Sequence, residues 1–308
     1  AGERVSAMNV LKIKELSVRY GSVEALSEVD LEVQPAMVYG IIGPDGAGKT
    51  TLMRSICTLL PYQEGSIEVL GYDAASQAKE IRARIGYMPQ RFSLYQDLSV
   101  QQNLRFFARL FKVNHAEMLK RREQLYKFSR LEPFAKRLTG NLSGGMKQKL
   151  ALSCALIHTP ELIILDEPTF GVDPVSRVEF WQILHQLKAD GISIVVSTPY
   201  MDEASQCDKI VLLHKGRVIG QGSPAEIISG WKGKLYSLTS RDLQKLYAFL
   251  QTKAGKDNLQ LFGSEIHLFS EQELSSDKIA DWQSEFPELE SCVEIKPGME
   301  DVFLRMMQ

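Results

Sequence analysis

The segment Gly43-Pro44-Asp45-Gly46-Ala47-Gly48-Lys49-Thr50 follows the spacing G-x-x-x-x-G-K-[ST]. Glycines at these positions let successive backbone N–H groups close on phosphate oxygens. The lysine reaches the outer phosphates, and the Thr50 hydroxyl is a ligand suited to Mg²⁺. A plain glycine turn would satisfy the same letters, but the context argues against it. The apolar run AMVYGIIG, Ala36 to Gly43, reads as a buried strand and KTTLMRSICTLL as a helix, the order that aims a helix N-terminus at an anion.

A second constellation is LIILDE, Leu162 to Glu167, a buried-strand run that delivers two carboxylates at its end. Adjacent strand residues point to opposite faces, so Asp166 can enter a metal shell while Glu167 orients or deprotonates water. Alone, the pair could be a strand end meeting solvent; the phosphate loop in the same chain favours the chemical reading. Asn141-Leu142-Ser143-Gly144-Gly145 opens the helix MKQKLALSCALI, and its free N–H groups at the positive helix end make a second anion site. The alternatives are an ordinary glycine N-cap and a site for a nucleotide held by another subunit. Finally, STPYMDEA, Ser197 to Ala204, follows the apolar run Ile192 to Val196, at the strand end where open α/β sheets gather ligands. Pro199 stands there without a side-chain donor or a backbone N–H.

The elements that must hold these residues are α/β in rhythm. Asn9 to Val33 alternates apolar and polar residues, as antiparallel strands with one wet face do. From Asp97 the character of the chain changes, within a helical subdomain expected over about 91–160. Ser99 and Gln102 have capping-box spacing, and Leu104, Phe107, Ala108 and Phe111 fall on one helical face. The basic stretch MLKRREQLYKFSRL reads as a solvated helix face. ELIILDEP and GISIVVSTP, separated by the helical VSRVEFWQILHQLKAD, have the βαβ rhythm of a parallel sheet. Beyond Trp231 the order is strand, helix, two strands, helix, strand and a short helix, the βαββαβ pattern of a small ferredoxin-like domain. We therefore expect a leader or cloning remnant over 1–8, with Met8 as the natural start, a main domain over 9–230, and an α+β domain over 231–308.

Composition narrows the function classes. The 308 residues carry 36 basic and 38 acidic side chains, a formal net charge of −2, so no overall field draws the chain to nucleic acid or an anionic membrane. No nucleic-acid partner is expected. Cys57, Cys154, Cys207 and Cys292 are scattered without a C-x-x-C pair, which argues against a disulfide frame or a zinc site and for a reducing compartment. No apolar run approaches the roughly 18 residues of a membrane span, and AGERVSAM lacks the apolar core of a signal peptide.

Over about Val10 to Gly222 the ordered motifs resemble an ATP-binding-cassette nucleotide-binding domain. They are the phosphate loop Gly43 to Thr50, Gln90 ending GYMPQ, LSGG at Leu142 to Gly145, the LIILDEP strand and GVDP at Gly171 to Pro174. The resemblance implies ATP and Mg²⁺ as cofactors. It places Gly43 to Thr50 with Thr51 on the phosphates and Tyr20, in VRYGSVEAL, on the adenine; base stacking on an aromatic ring is worth about 1–3 kcal/mol. Thr50, Gln90 and Asp166 would surround the metal, and Glu167 and Gln90 would act on the attacking water. It further implies head-to-tail pairing with a second cassette, as homodimer or as tandem or heterodimer. Ser143, Gly144 and Gly145 then close the partner's nucleotide site, and Asp173 sits at the seam. A membrane permease would dock beside Arg91 to Leu98, where Phe92, Leu94 and Tyr95 read equally as a local core. Such a protein lies peripherally on the cytoplasmic face of the membrane.

Two positions depart from the family's pattern. A histidine that holds the γ-phosphate and orders the attacking water usually stands at Pro199; His214, in the next strand, reads as a packed or surface residue rather than a substitute. Asp45 stands where asparagine is commoner and adds negative charge near the phosphates. The expected function is the ATPase subunit or half-subunit of an exporter in the drug-export branch, resembling the first cassette of tandem two-cassette proteins and slow at its own site. The alternative is a regulatory cassette that binds ATP, dimerises and hardly hydrolyses it. A cassette of translation or DNA repair is disfavoured, because no long coiled coil or basic linker interrupts the chain.

Overall fold

The computed structural model describes residues 9–91 and 93–307; the leader expected over 1–8 and the Phe92 side chain lie outside them. The chain divides into two compact units at Pro224/Ala225. The boundary precedes Gly230, so the helix Pro224–Ser229, apart from its first residue, goes with the second unit.

In the first unit, β1 (Leu11–Tyr20), β2 (Val23–Val33), β4 (Glu64–Val69) and β5 (Tyr72–Asp73) form an antiparallel sheet in the order β2-β1-β4-β5. A second, six-stranded sheet runs β10-β9-β3-β8-β7-β6, built from β3 (Val38–Ile42), β6 (Ile85–Met88), β7 (Leu162–Asp166), β8 (Ser193–Thr198), β9 (Lys209–His214) and β10 (Arg217–Gly222). Its strands are parallel apart from β10, which returns antiparallel to β9. Every residue of β3, β7 and β8 is buried, which accounts for their unbroken apolar runs: a parallel strand covered on both faces has no wet side to mark with polar residues.

Helix α1 (Lys49–Ile56) leaves the phosphate loop and packs Leu52, Met53 and Ile56 into one core with Leu162, Ile164 and Val195 of the large sheet and Leu11, Ile13 and Leu31 of the small one. α2 (Ala78–Arg84) leads into β6. The strands β4 and β5 and helix α2 are short and largely polar, and the sequence pattern does not single them out. The helical subdomain comprises α3 (Val100–Leu110), α4 (His115–Ser129) and α5 (Gly144–Leu156). The capping box at the start of α3 is present, with the Ser99 hydroxyl accepting from Gln102 N and the Ser99 N–H donating to Gln102 Oε1. Fully buried Asn103 then donates to Thr139 Oγ1 (2.9 Å) and Tyr95 O (2.9 Å), tying α3 to the chain on both sides of it. α6 (Pro174–Ala189) and the short α7 (Met201–Ala204) flank β8 in sequence. Cys57, Cys154 and Cys207 are buried free thiols, pushed up in pKa by burial and therefore inert.

The second unit begins with α8 (Pro224–Ser229) and continues β11 (Lys234–Ser240), α9 (Leu243–Ala254), β12 (Leu259–Phe262), β13 (Glu265–Ser270), α10 (Ser276–Glu285), β14 (Leu289–Ile295) and α11 (Met299–Met306). Its antiparallel sheet has the order β12-β13-β11-β14, which sets the first strand between the third and fourth, the ferredoxin-like arrangement. This unit has its own core, in which Leu246 and Leu250 of α9 and Trp282 of α10 meet Tyr236, Leu238, Ile266 and Leu268 of the sheet. Leu246→Ala should therefore destabilise the second unit by about 2–5 kcal/mol. Segment-resolved hydrogen exchange should show faster opening over residues 234–295, with protection of β3, β7 and β8 unchanged.

Candidate active site

The site forms at the carboxyl ends of β3, β7 and β8. The loop after β3 turns sharply around glycines that cannot be replaced without collision. A Cβ on Gly43 would lie 2.3 Å from Leu213 O. On Gly48, whose φ is +107°, it would lie 2.7 Å from Ala25 O. The turn is pinned by Gly43 N–H donating to Thr198 O (3.3 Å), Ala47 N–H to Pro44 O (3.1 Å) and Gly216 N–H to Ala47 O (3.0 Å). Within it Lys49, only 4% exposed, donates to Gly43 O (2.8 Å) and Pro44 O (3.0 Å) and pairs with Glu167 Oε1 (3.0 Å). Its three ammonium protons are thus all engaged inside the protein. Asp45, at 4.0 Å from Lys49 Nζ, is exposed at the loop tip.

Both carboxylates are organised by one residue of the neighbouring strand. The parallel register of β7 and β8 sets Asp166 beside Ser197. Ser197 Oγ donates to Asp166 Oδ1 (2.7 Å) and accepts from Glu167 N–H (3.0 Å). Thr50 Oγ1 also donates to Asp166 Oδ1 (3.3 Å). Asp166 Oδ2 is buried with no hydrogen-bond partner among the described residues. Burial raises the Asp166 pKa, and the hydrogen bonds from Ser197 and Thr50 oppose that shift only in part. The chain then bends: Glu167 has φ +49°, a left-handed conformation that costs a non-glycine residue on the order of 1–3 kcal/mol. The bend turns its carboxylate, 3% exposed, back toward the loop, where Gln90 Nε2 donates to Oε2 (2.7 Å) and Lys49 holds Oε1.

A cavity of about 430 Å³ opens over this group. It is lined by Asp45, Gly46, Gly48, Lys49, Thr50, Thr51, Gln90 and Glu167, and also by Val23 to Ala25, Lys215 and Gly216. The residues present fit a nucleotide with Mg²⁺. The cradle admits no Cβ at Gly43 or Gly48, and Asp166 Oδ2, unpartnered among the described residues, with the Thr50 hydroxyl makes a hard-oxygen pair. A single carboxylate with a hydroxyl suits Mg²⁺, which takes one or two protein carboxylates and leaves the other positions to water and phosphate.

Other expected residues stand apart from this cavity. Tyr20 ends β1, paired in register with Val23 at the cavity rim; the residue is 47% exposed and does not line the cavity. Ser143, Gly144 and Gly145 begin α5 and face α6 instead: Ser143 Oγ accepts from Met146 N–H (3.3 Å), and a Cβ on Gly145 would lie 2.5 Å from Ser176 Oγ. Asp173 caps α6 through Ser176 N–H (2.9 Å). Pro199 follows β8 beside the loop but does not line the cavity. His214 is half-buried at the end of β9. Leu94 is buried and Tyr95 is exposed, its ring edge-on to Phe106 at 4.8 Å. Leu94 also lines a separate apolar cavity of about 490 Å³ with Tyr87, Phe107, Phe111 and His158, so the groove and local-core readings of this segment meet in one residue. Sequence reasoning missed Ser197 and the rim residues Val23 to Ala25, Lys215 and Gly216. A serine at a buried strand end was the only linear signal.

The profile of the ABC transporter family matches residues 26–170. The chain is 31% identical over 306 residues to the Nod factor export ATP-binding protein I of Rhizobium etli, covering 97% of this chain and 93% of that protein. The chain belongs to the ABC transporter ATP-binding proteins. This cassette is also 37% identical over 306 residues to the "Probable multidrug ABC transporter ATP-binding protein YbhF" of Escherichia coli, covering 97% of this chain but 52% of that protein, so the chain spans about half of that relative's length. A dimeric post-hydrolysis structure of the ATP-binding cassette MJ0796, bound to ADP and Pi, superimposes with a TM-score of 0.63 at 28% identity, covering 69% of this chain and 98% of that one. Among the described residues no helix of the cassette is long and apolar enough to cross a membrane.

The raised Asp166 pKa has a definite consequence for the ligand-free cassette. A carboxyl whose folded pKa lies above its unfolded value supports folding when protonated, and that support is lost as pH rises through the folded pKa. Asp166→Asn should therefore raise the melting temperature at pH 7 without metal or nucleotide. The gain should shrink as the pH falls toward the ordinary aspartate range, which a pH series of thermal melts of parent and variant would show.

Proposed function

We propose that this cassette binds Mg-ATP in the Lys49 cavity and hydrolyses it slowly, as an ATP-binding subunit or half-subunit of a drug-exporting ABC transporter with a separate membrane permease. The observation that carries the reading is the position of Glu167. A buried carboxylate stands between Lys49 and Gln90, one residue past a metal-competent aspartate, at the mouth of a glycine cradle. Tyr20 stands one register pair from the rim and supplies a face for the adenine.

Thr50 and Asp166 would hold Mg²⁺, which when bound neutralises charge on the phosphates. Binding exchanges the Lys49 contacts to Gly43 O, Pro44 O and Glu167 for phosphate oxygens. Loss of the Lys49 ion pair frees Glu167 Oε1 to accept a proton from water, while Gln90 keeps Oε2 in place. Pro199 can donate nothing to the transferred group. One missing preorganised donor typically costs about 10²–10³ in rate, so hydrolysis is slow without being abolished. The same feature favours a second reading, a regulatory cassette that binds ATP and hardly turns it over.

The α5 terminus faces α6 and lies apart from the chain's own cavity, which supports a role in trans: Ser143 to Gly145 close the nucleotide site of a second cassette, in a homodimer or within a tandem or heterodimeric pair. The apolar cavity beside Leu94 suits a helix of the permease, and the cassette then sits on the cytoplasmic face of the membrane. Export rather than import follows from the relatives, named for multidrug transport and Nod factor export.

Pro199→His should raise ATP turnover of the assembled dimer, and Glu167→Gln should remove that gain while leaving calorimetric Mg-ATP binding in place. A parent already as fast as Pro199→His would support a different donor. No binding at millimolar ATP, with Lys49→Ala behaving like the parent, would overturn the assignment of the cavity.

A further inference from the structure

Glu203 is a buried charge that the chemistry above does not use. It lies on α7, just after the Pro199 loop, and is 2% exposed. Thr169 Oγ1, itself buried, donates to Glu203 Oε1 (2.8 Å), and Arg177 Nε of α6 lies 3.5 Å from the same oxygen. Neither Glu203 Oε2 nor Arg177 Nε has a hydrogen-bond partner among the described residues. Arg177 is held from its other side: its guanidinium lies 4.1 Å over the Tyr200 ring and its Nη1 donates to Asp202 Oδ2 (3.3 Å).

Such an arrangement is poor economy for stability alone. A buried carboxylate with unused acceptor capacity costs several kcal/mol of desolvation, which an apolar residue of like volume would not incur. Its position is more telling. Thr169 belongs to the tight turn that follows Glu167, in which Phe170 N–H donates to Glu167 O (3.1 Å) and Val172 N–H to Thr169 O (3.2 Å). One carboxylate oxygen therefore gathers three segments: the turn carrying Glu167, helix α6 behind Asp173, and α7 itself, which follows the loop that contains Pro199.

We propose that Glu203 is a positioning residue for hydrolysis, fixing through Thr169 the turn that holds Glu167 and tying that turn to α6. Glu167 already sits in a left-handed conformation, so its carboxylate direction depends on restraint from both sides. Ser197 restrains the turn at the Glu167 N–H, and Thr169 restrains it two residues later. A second link runs outward, because α6 begins at the exposed Val175 and Val178, beside the Asp173 cap where a partner cassette is expected. Displacement of α6 by a partner reaches Glu203 through Arg177. The inference rests on the reading of Glu167 as the base.

The test uses the full chain with Thr169→Val, Thr169→Ser, Glu203→Leu and, as a control, Glu167→Gln. Single-turnover ATP hydrolysis, ATP affinity, and amide exchange at Phe170 and Val172 are measured together. Thr169→Val and Glu203→Leu should slow hydrolysis roughly tenfold or more, as small misplacements of reacting groups do, with ATP affinity unchanged. Exchange at the two amides should be faster, and Thr169→Ser, which keeps the hydroxyl, should behave like the parent. Parent-like rates and parent-like exchange in both Thr169→Val and Glu203→Leu overturn the inference. So does a fall in ATP affinity that matches the fall in rate, since the group would then act on binding. If Glu167→Gln hydrolyses as fast as the parent, the reading of the site fails instead, and the exchange at Phe170 and Val172 still decides whether Glu203 holds the turn.

Discussion

The site depends on one side-by-side pairing of parallel strands, β7 with β8. That register brings the Ser197 hydroxyl against Asp166 and the backbone N–H of Glu167, and so decides the direction of two carboxylates at once. A single hydroxyl can do this because it donates in one direction and accepts in another. A slip in register would separate the serine from both partners. The unbroken burial of both strands opposes such a slip, since their apolar side chains fill the covers on the two faces of the sheet.

Around that pairing the protein holds charge where water is scarce. Lys49 and Glu167 pair at 3.0 Å, and Gly43 O, Pro44 O and Gln90 complete their hydrogen bonding. Asp166 has one oxygen unpartnered among the described residues, and burial raises its pKa. These are the features expected where stability is given up to function. Glu203 shows the same pattern outside the cavity: a buried carboxylate with one oxygen unpartnered among the described residues, placed between the turn after Glu167 and α6.

The two helix N-termini that the glycine motifs create have different surroundings. α1 starts at the cavity, which Lys49, Thr50 and Thr51 line, whereas α5 starts against α6, where a Cβ on Gly145 would lie 2.5 Å from Ser176 Oγ. The second unit is a ferredoxin-like sheet with a separate apolar core, and its fold is explained by its own packing.

Much of this was legible in the linear chain. The spacing from Gly43 to Thr50 specifies a phosphate cradle because only glycine tolerates the backbone approach there, and LIILDE reads as a buried strand because both its faces are covered. The alternation of the tail yields βαββαβ, and Ser99 with Gln102 announces the start of α3; these are local rules, and local chemistry satisfies them. Other features involve partners distant in sequence. That Ser197 would serve Asp166, that Val23 to Ala25 and Lys215 would rim the cavity, and that Thr169 would meet Glu203 all depend on strand order and loop packing, which no local spacing encodes. The short polar elements β4, β5 and α2 were invisible for a related reason, since they are held by their neighbours more than by their own pattern. Sequence alone determined which groups could do chemistry and on what kind of element each would stand. Only the tertiary structure decided which of them meet, because hydrogen bonds act over about 3 Å and that proximity is created by sheet register.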